Sequence, residues 1–358
     1  MIRRLAGRPE FGAACGVLAV WSFFAIQAGG SGFLTAFGTA SYLEIAAELG
    51  ILAVAVSLLM IAGEFDLSIG SMIGFAGMML AIPALYWGWP IWVAAIFTFA
   101  LCAVLGALNG YLVVRTGLPS FIVTLAFYFI LRGLSLALST MLTGKTIVSN
   151  NEGIALRDLA TSDYLFSTLF SGHVLTGLFN AMARWGWIAA RDGGGALAIG
   201  VPKVVVWWLA LTAIGGFVLA RTRRGNWILA VGGDANAAKN TGVPVARVKV
   251  SLFVVTALCA ALFAVLQVAD AGSAAADRGL QKEFEAIIAA VIGGCLLSGG
   301  YGSIVGASIG ALIFGVVQIG IGYTSIDNNW YRVFLGGMLL AAVLFNTYIR
   351  TRVALGRR

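Results

Sequence analysis

Charged side chains are scarce in this chain: Asp, Glu, Lys and Arg make up 11% of its 358 residues, and hydrophobic residues 60%. About a quarter of a soluble domain is charged. A chain this apolar, with a mean hydropathy of +0.95, is neither disordered nor a single core wrapped in a polar shell. A soluble enzyme is excluded. Histidine occurs once, at His173, which leaves no zinc set and no Ser-His-Asp arrangement and argues against an intramembrane hydrolase. Cys15, Cys102, Cys259 and Cys295 are scattered through apolar segments without metal-ligand spacing; they read as small core hydrophobes, and no metal is expected. A Gly-x-x-x-x-Gly-Lys-Ser/Thr phosphate loop is missing too, so the chain itself offers no nucleotide cradle.

What the chain has in abundance is long uncharged runs. Phe11–Leu43, Leu67–Val114 and Ala286–Ile326 contain no Asp, Glu, Lys or Arg. About 20 apolar residues cross a bilayer as a helix, and the runs are continuous rather than alternating, which excludes a barrel. The pattern predicts an all-α polytopic membrane protein, one transmembrane domain over residues 1–358. Ten crossings are expected near 11–29, 43–62, 67–85, 91–113, 120–142, 202–220, 250–269, 283–298, 303–322 and 331–349. Pro83 and Pro90 are expected to bracket a turn at headgroup level, Ala84–Trp89. The first block, behind Arg3, Arg4 and Arg8, reads as an uncleaved helix rather than a signal peptide.

An even number of crossings puts both termini on one side. Placing them in the cytoplasm puts Arg115, Arg221, Arg223, Arg224, Lys239, Arg247, Lys249 and the basic termini inside. The short outer loops then hold only Arg278, Lys282 and Arg332. Loop charge sets orientation in this way, so the net charge of +8 is a topological bias and not a nucleic-acid surface. A long periplasmic segment, 143–201, and a cytoplasmic loop, 221–249, follow from this orientation.

Polar groups at membrane depth are expensive and worth weighing singly. In Gly63-Glu64-Phe65-Asp66-Leu67-Ser68-Ile69-Gly70-Ser71, Asp66 or Ser68 caps a helix restarting at Ile69, or the irregular backbone flanks a polar pathway. A second interruption, Leu297–Ser303, opens a series of glycines at Gly302, Gly306 and Gly310, a spacing that permits close helix approach. The two similar breaks hint at an internal repeat. Arg132 lies mid-membrane and needs a partner, a carbonyl or a wet cavity. Asn109, Thr124, Gln267 and Gln318 are either pathway groups or interhelical hydrogen bonds. Asp277, Glu283 and Glu285 make Asp270–Glu285 dense in charge. They read as a solvated loop leading into a helix start, or as the mouth where a delivery protein docks. In the cytoplasmic loop, Asp234 caps a short helix with Ala235, Ala237 and Ala238 on a small face, ended by Gly242, Val243 and Pro244. Such a helix fits a knob for a partner's groove.

The loop Gly233–Val243 resembles the coupling-helix motif of ABC importer permeases. Gly63–Ser71, the run from Gly106 through Pro119–Leu125 to Leu134, and Glu283–Ser303 resemble the ribose/xylose-type monosaccharide permeases. The chain departs from that family's usual Gly-Gly-Ile-Asp-Leu-Ser at Glu64, and its outer segment is long. The resemblance implies a permease subunit importing a sugar or polyol through a bacterial inner membrane. It also implies a second permease copy, a tandem-domain ATPase holding ATP and magnesium, and a periplasmic sugar-binding protein, with no cofactor in this chain. On that basis Asp234, Ala235, Ala237, Ala238, Gly242 and Val243 couple to the ATPase. Asp66, Ser68, Asn109, Thr124, Gln267 and Gln318 line the pathway, and Asp277, Glu283 and Glu285 form the mouth. A permease for nucleosides or branched amino acids, and a stand-alone secondary transporter, are the alternatives.

Overall fold

A computed structural model describes residues 9–191, 195–198, 200–324, 326–327, 329–338, 340–341 and 344. Eight helices among them are long and apolar enough to cross a membrane. These are α1 (Pro9–Ala28), α2 (Ala36–Ile61), α3 (Ile69–Tyr86), α4 (Ile91–Thr116), α5 (Ser120–Thr143), α9 (Lys203–Arg221), α12 (Val245–Ala271) and α14 (Ile304–Gly322). The apolar span of α3 is 89% buried and that of α1 only 17%, which separates a central layer of α2, α3, α12 and α14 from helices whose apolar sides face outward. Outward apolar faces suit a lipid solvent, where burial gains nothing over contact with acyl chains.

Two expectations need correction. Residues 283–298 do not form a crossing: α13 (Lys282–Ile292) has 11 residues, about 16 Å at the helical rise, half the hydrocarbon thickness. Left-handed Gly294, Gly299 and Gly300 end it and turn the chain into α14. Pro83 is no boundary either, since α3 runs through it to Tyr86. The expected crossing at 331–349 falls partly outside the described residues, and within them 330–338 are helical.

The segment 143–201 folds into small pieces packed on one end of the bundle. It holds strands β1 (Ile147–Val148), β2 (Asn150–Asn151) and β3 (Ile154–Ala155), helices α6 (Leu156–Ser162) and α7 (Tyr164–Phe170), strand β4 (His173–Val174), helix α8 (Thr176–Arg184) and strand β5 (Val201–Pro202). β2 pairs with β3, and β4 with β5. β1 pairs antiparallel with β6 (Ala274–Ala275), Ile147 opposite Ala275. At the other end, rich in arginine, α10 (Arg223–Gly233) and α11 (Ala235–Asn240) lead into α12. Gly306 and Gly310 face the backbone of Gly293 and Ala289 with no space for a methyl group. The half-length α13 therefore lies directly on α14.

Candidate functional site

Between α2 and α3 the chain is not helical, and this break is where buried polarity gathers. Asp66 Oδ1 accepts from Ser68 N at 2.9 Å and Ser68 Oγ at 2.6 Å, and Asp66 Oδ2 from Thr256 Oγ1 at 2.7 Å. Asn109 Nδ2 donates to Ser68 Oγ at 2.9 Å. Freed backbone donors are met by α5: Phe65 N donates to Ser120 Oγ and Leu67 N to Thr124 Oγ1, each at 3.0 Å. Asp66, Ser68, Asn109, Thr124, Thr256 and Ser120 are all buried. Unsatisfied groups at such depth cost several kcal/mol each, on the order of the apolar transfer penalty. The network thus clamps the broken backbone between α4, α5 and α12. Ser68 occupies the cap position of α3 without a side-chain cap bond; Asp66 binds Ser68 instead.

Four of the residues expected in the pathway, Asp66, Ser68, Asn109 and Thr124, are therefore gathered into one network, and Gln267 and Gln318 are outside it, both part-buried. Ser120 and Thr256 belong to it but were missed. Their signal was a hydroxyl inside an apolar run, present in the sequence but shared with many helix-bonded hydroxyls.

One turn toward the arginine-rich end, Glu64 pairs with Lys249 at the start of α12. Beside it three turns meet. Gly300 N donates to Ile61 O at 2.8 Å. A methyl on Gly299 would lie 2.8 Å from Gly63 Cα and 2.9 Å from Gly232 O. This glycine junction fastens the end of α2, the end of α10 and the α13–α14 turn to one another. Ser303 in that turn donates to Glu10 of α1 at 2.6 Å. The Tyr301 phenol beside it is raised by burial and then by the Glu10 carboxylate.

From the junction α10 leads to Asp234, whose Oδ1 accepts from Asn236 N at 2.9 Å and Ala237 N at 3.0 Å and so starts α11. Gly242 follows with a φ of 87°, and Val243 N donates to Ala238 O. Ala237 is exposed and Ala235 part-buried, but Ala238 is buried in its own chain. Ala235, Ala237 and Ala238 are expected on one small face turned outward. The turn back through Val243 covers Ala238 and leaves Ala237, with Asn236 and Lys239, outward.

The charged stretch after α12 enters the bundle. From β6 it runs antiparallel to a glycine stripe on α3. Methyl groups built on Gly77, Gly74 and Gly70 would meet in turn Ala274 Cβ at 3.7 Å, Ala276 O at 2.6 Å and Gly279 O at 2.6 Å. Ala276 O accepts from Arg132 Nη1 at 3.1 Å and Ser135 Oγ at 3.3 Å. Glu283 and Glu285 are buried, at 1% and 8% exposure, with Glu285 paired to Lys282 at 2.6 Å. Asp277 is exposed. The two glutamates expected at an open mouth thus lie inside, at the start of α13.

Eight helices long and apolar enough to cross a membrane, with a polar break between two of them and a half-length helix beside them, define a polytopic membrane protein. The chain belongs to the family described as branched-chain amino acid transport system / permease component, which it matches over residues 38–343. It is 32% identical over 368 residues to the xylose transport system permease protein of Escherichia coli, covering 94% of this chain and 91% of that one. The xylose permease of Haemophilus influenzae is 29% identical, covering 92% and 94%. The fructose import permease protein of Rhizobium meliloti is 30% identical, covering 91% and 82%. No solved structure matches. Eight apolar helices and this kinship make the chain a multi-pass protein of the bacterial inner membrane.

Proposed function

We propose that this chain is the permease subunit of an ATP-driven importer for a monosaccharide or related polyol, working as a pair of copies. The observation that carries the reading is the covalent and packed route from the capped helix α11, through the glycine junction, to the helix break at Asp66. A partner ATPase holding ATP and magnesium engages α11 at the arginine-rich end, which loop charge makes cytoplasmic. A periplasmic binding protein delivers cargo at the end that carries residues 143–201. Closure of the ATPase pulls on α11, and the junction passes that displacement to both interrupted segments. Asp66, Ser68, Asn109 and Thr124 shape the pathway by holding the break in register.

Sugar cargo is supported by the relatives named for xylose and fructose. A branched amino acid is the second reading, favoured by the family's description. Uptake of labelled D-xylose, D-fructose and L-leucine by cells expressing the permease with its ATPase and binding protein separates the two. Sugar uptake that vanishes with an ATPase unable to hydrolyse ATP supports the proposal; leucine uptake alone, or sugar uptake indifferent to the ATPase, refutes it.

A further inference from the structure

The descending segment 272–281 ends at a tip whose surroundings do not fit either lipid or a packed interior. Its depth is fixed by Arg132. That residue is twelve positions from Ser120 and eleven from Thr143 in α5, about 17 Å from either end. Ala276 O is bonded to it, and the chain then continues past Gly74 to Gly70 at the start of α3. The tip therefore lies at or beyond the middle of the span. Here Leu280 and Phe284 are 53% and 52% exposed, and Asp277 and Gln281 are exposed too. Gln281 holds a left-handed φ of 68°, and the adjacent Glu283 is buried against Gly70.

Non-helical backbone at membrane depth survives only inside protein or against water, and an exposed carboxylate and carboxamide cannot face acyl chains. In the pair of copies proposed above, the open side of the tip thus looks into an aqueous space between them. Its chemistry is a flat aromatic ring beside an amide and an acid, which suits a ligand with an apolar ring face and a rim of hydroxyls. Resting on the sugar reading above, we propose that Asp277, Gln281 and Phe284 are the substrate-contacting group of the pathway. Phe284 takes the ring face of the sugar, while the Gln281 carboxamide and Asp277 carboxylate bind its hydroxyls. Glu283, buried behind them with Oε2 unpartnered among the described residues, is a positioning residue that seats the tip on α3.

The test uses the full complex of permease, ATPase and binding protein in proteoliposomes. With Cys15→Ser, the remaining cysteines are buried, and single cysteines are placed by Gln281→Cys and Phe284→Cys. A charged methanethiosulfonate reagent is expected to modify both, at a rate that changes with ATP. Reaction with a lipid-soluble maleimide but not with the charged reagent overturns the placement, whatever the cargo. Uptake of D-xylose and D-fructose then tests the contact. Gln281→Leu and Phe284→Ala are expected to shift the ratio of the two uptakes about 3–10-fold, the worth of one hydrogen bond or one aromatic contact, with binding-protein-stimulated ATPase retained. Equal loss of both uptakes and of ATPase overturns the contact. Modified cysteines with no uptake of either sugar by the parent complex count against the sugar reading and leave the pathway position standing.

Discussion

Thr256 donates its hydroxyl to Asp66 at 2.7 Å across 190 residues of sequence. The bond ties the break between α2 and α3 to the middle of α12, the helix that follows α11. Thr256→Val keeps the shape and leaves Asp66 Oδ2 without this donor. A buried acceptor so orphaned costs about 1–3 kcal/mol. A clear fall in the melting temperature of the detergent-solubilised permease is expected; an unchanged melting temperature would mean that Asp66 is satisfied in some other way.

The glycine junction should be intolerant of the smallest side chain. Gly299→Ala places a methyl 2.8 Å from Gly63 Cα, where backbone must move, and Gly299 also holds a φ of 76°. The variant is expected to lose ATP-driven transport while still binding its ATPase. Gly233→Ala, with open space around the position, serves as the control and should transport. Equal transport by both variants would remove the junction from the coupling route.

Ala237 and Ala238 are neighbours with opposite fates. Ala237→Trp adds bulk to the exposed face of α11 and is expected to abolish coupling, with melting behaviour unchanged. Ala238→Trp pushes a ring into the permease itself and should lower stability by overpacking, roughly 1–3 kcal/mol. Melting curves and co-purification with the ATPase read the two effects separately, and identical outcomes for both variants would contradict the orientation of the helix.

The Glu64–Lys249 pair is part-buried on both sides. Breaking such a pair leaves an uncompensated charge, whereas replacing both members is far milder. Lys249→Met alone should therefore destabilise more than Lys249→Met with Glu64→Gln. A double variant at least as unstable as the single one would show that the two groups act independently.

The spanning helices were legible because uncharged length is a property of composition, and a membrane demands little else of a helix. What was not legible is depth. Residues 283–298 are as apolar as a true span, and only the left-handed turns at Gly294, Gly299 and Gly300 make them half of one. Glu283 and Glu285 were expected near water because charge usually is. The structure buries them where the segment from β6 lies along Gly77, Gly74 and Gly70. That stripe, at helical spacing in the sequence, was the available sign that a backbone packs there. Ala238 was misplaced for a related reason: six residues of helix do not reveal which side the following turn will cover.

Transport by the purified complex in proteoliposomes tests the central claim most directly. With binding protein and labelled sugar on one side and ATP supplied to the ATPase, uptake should follow ATP hydrolysis. The permease without its ATPase should move nothing down even a steep sugar gradient. Passive or ion-driven uptake by the permease alone would contradict the account and return the chain to the class of stand-alone carriers.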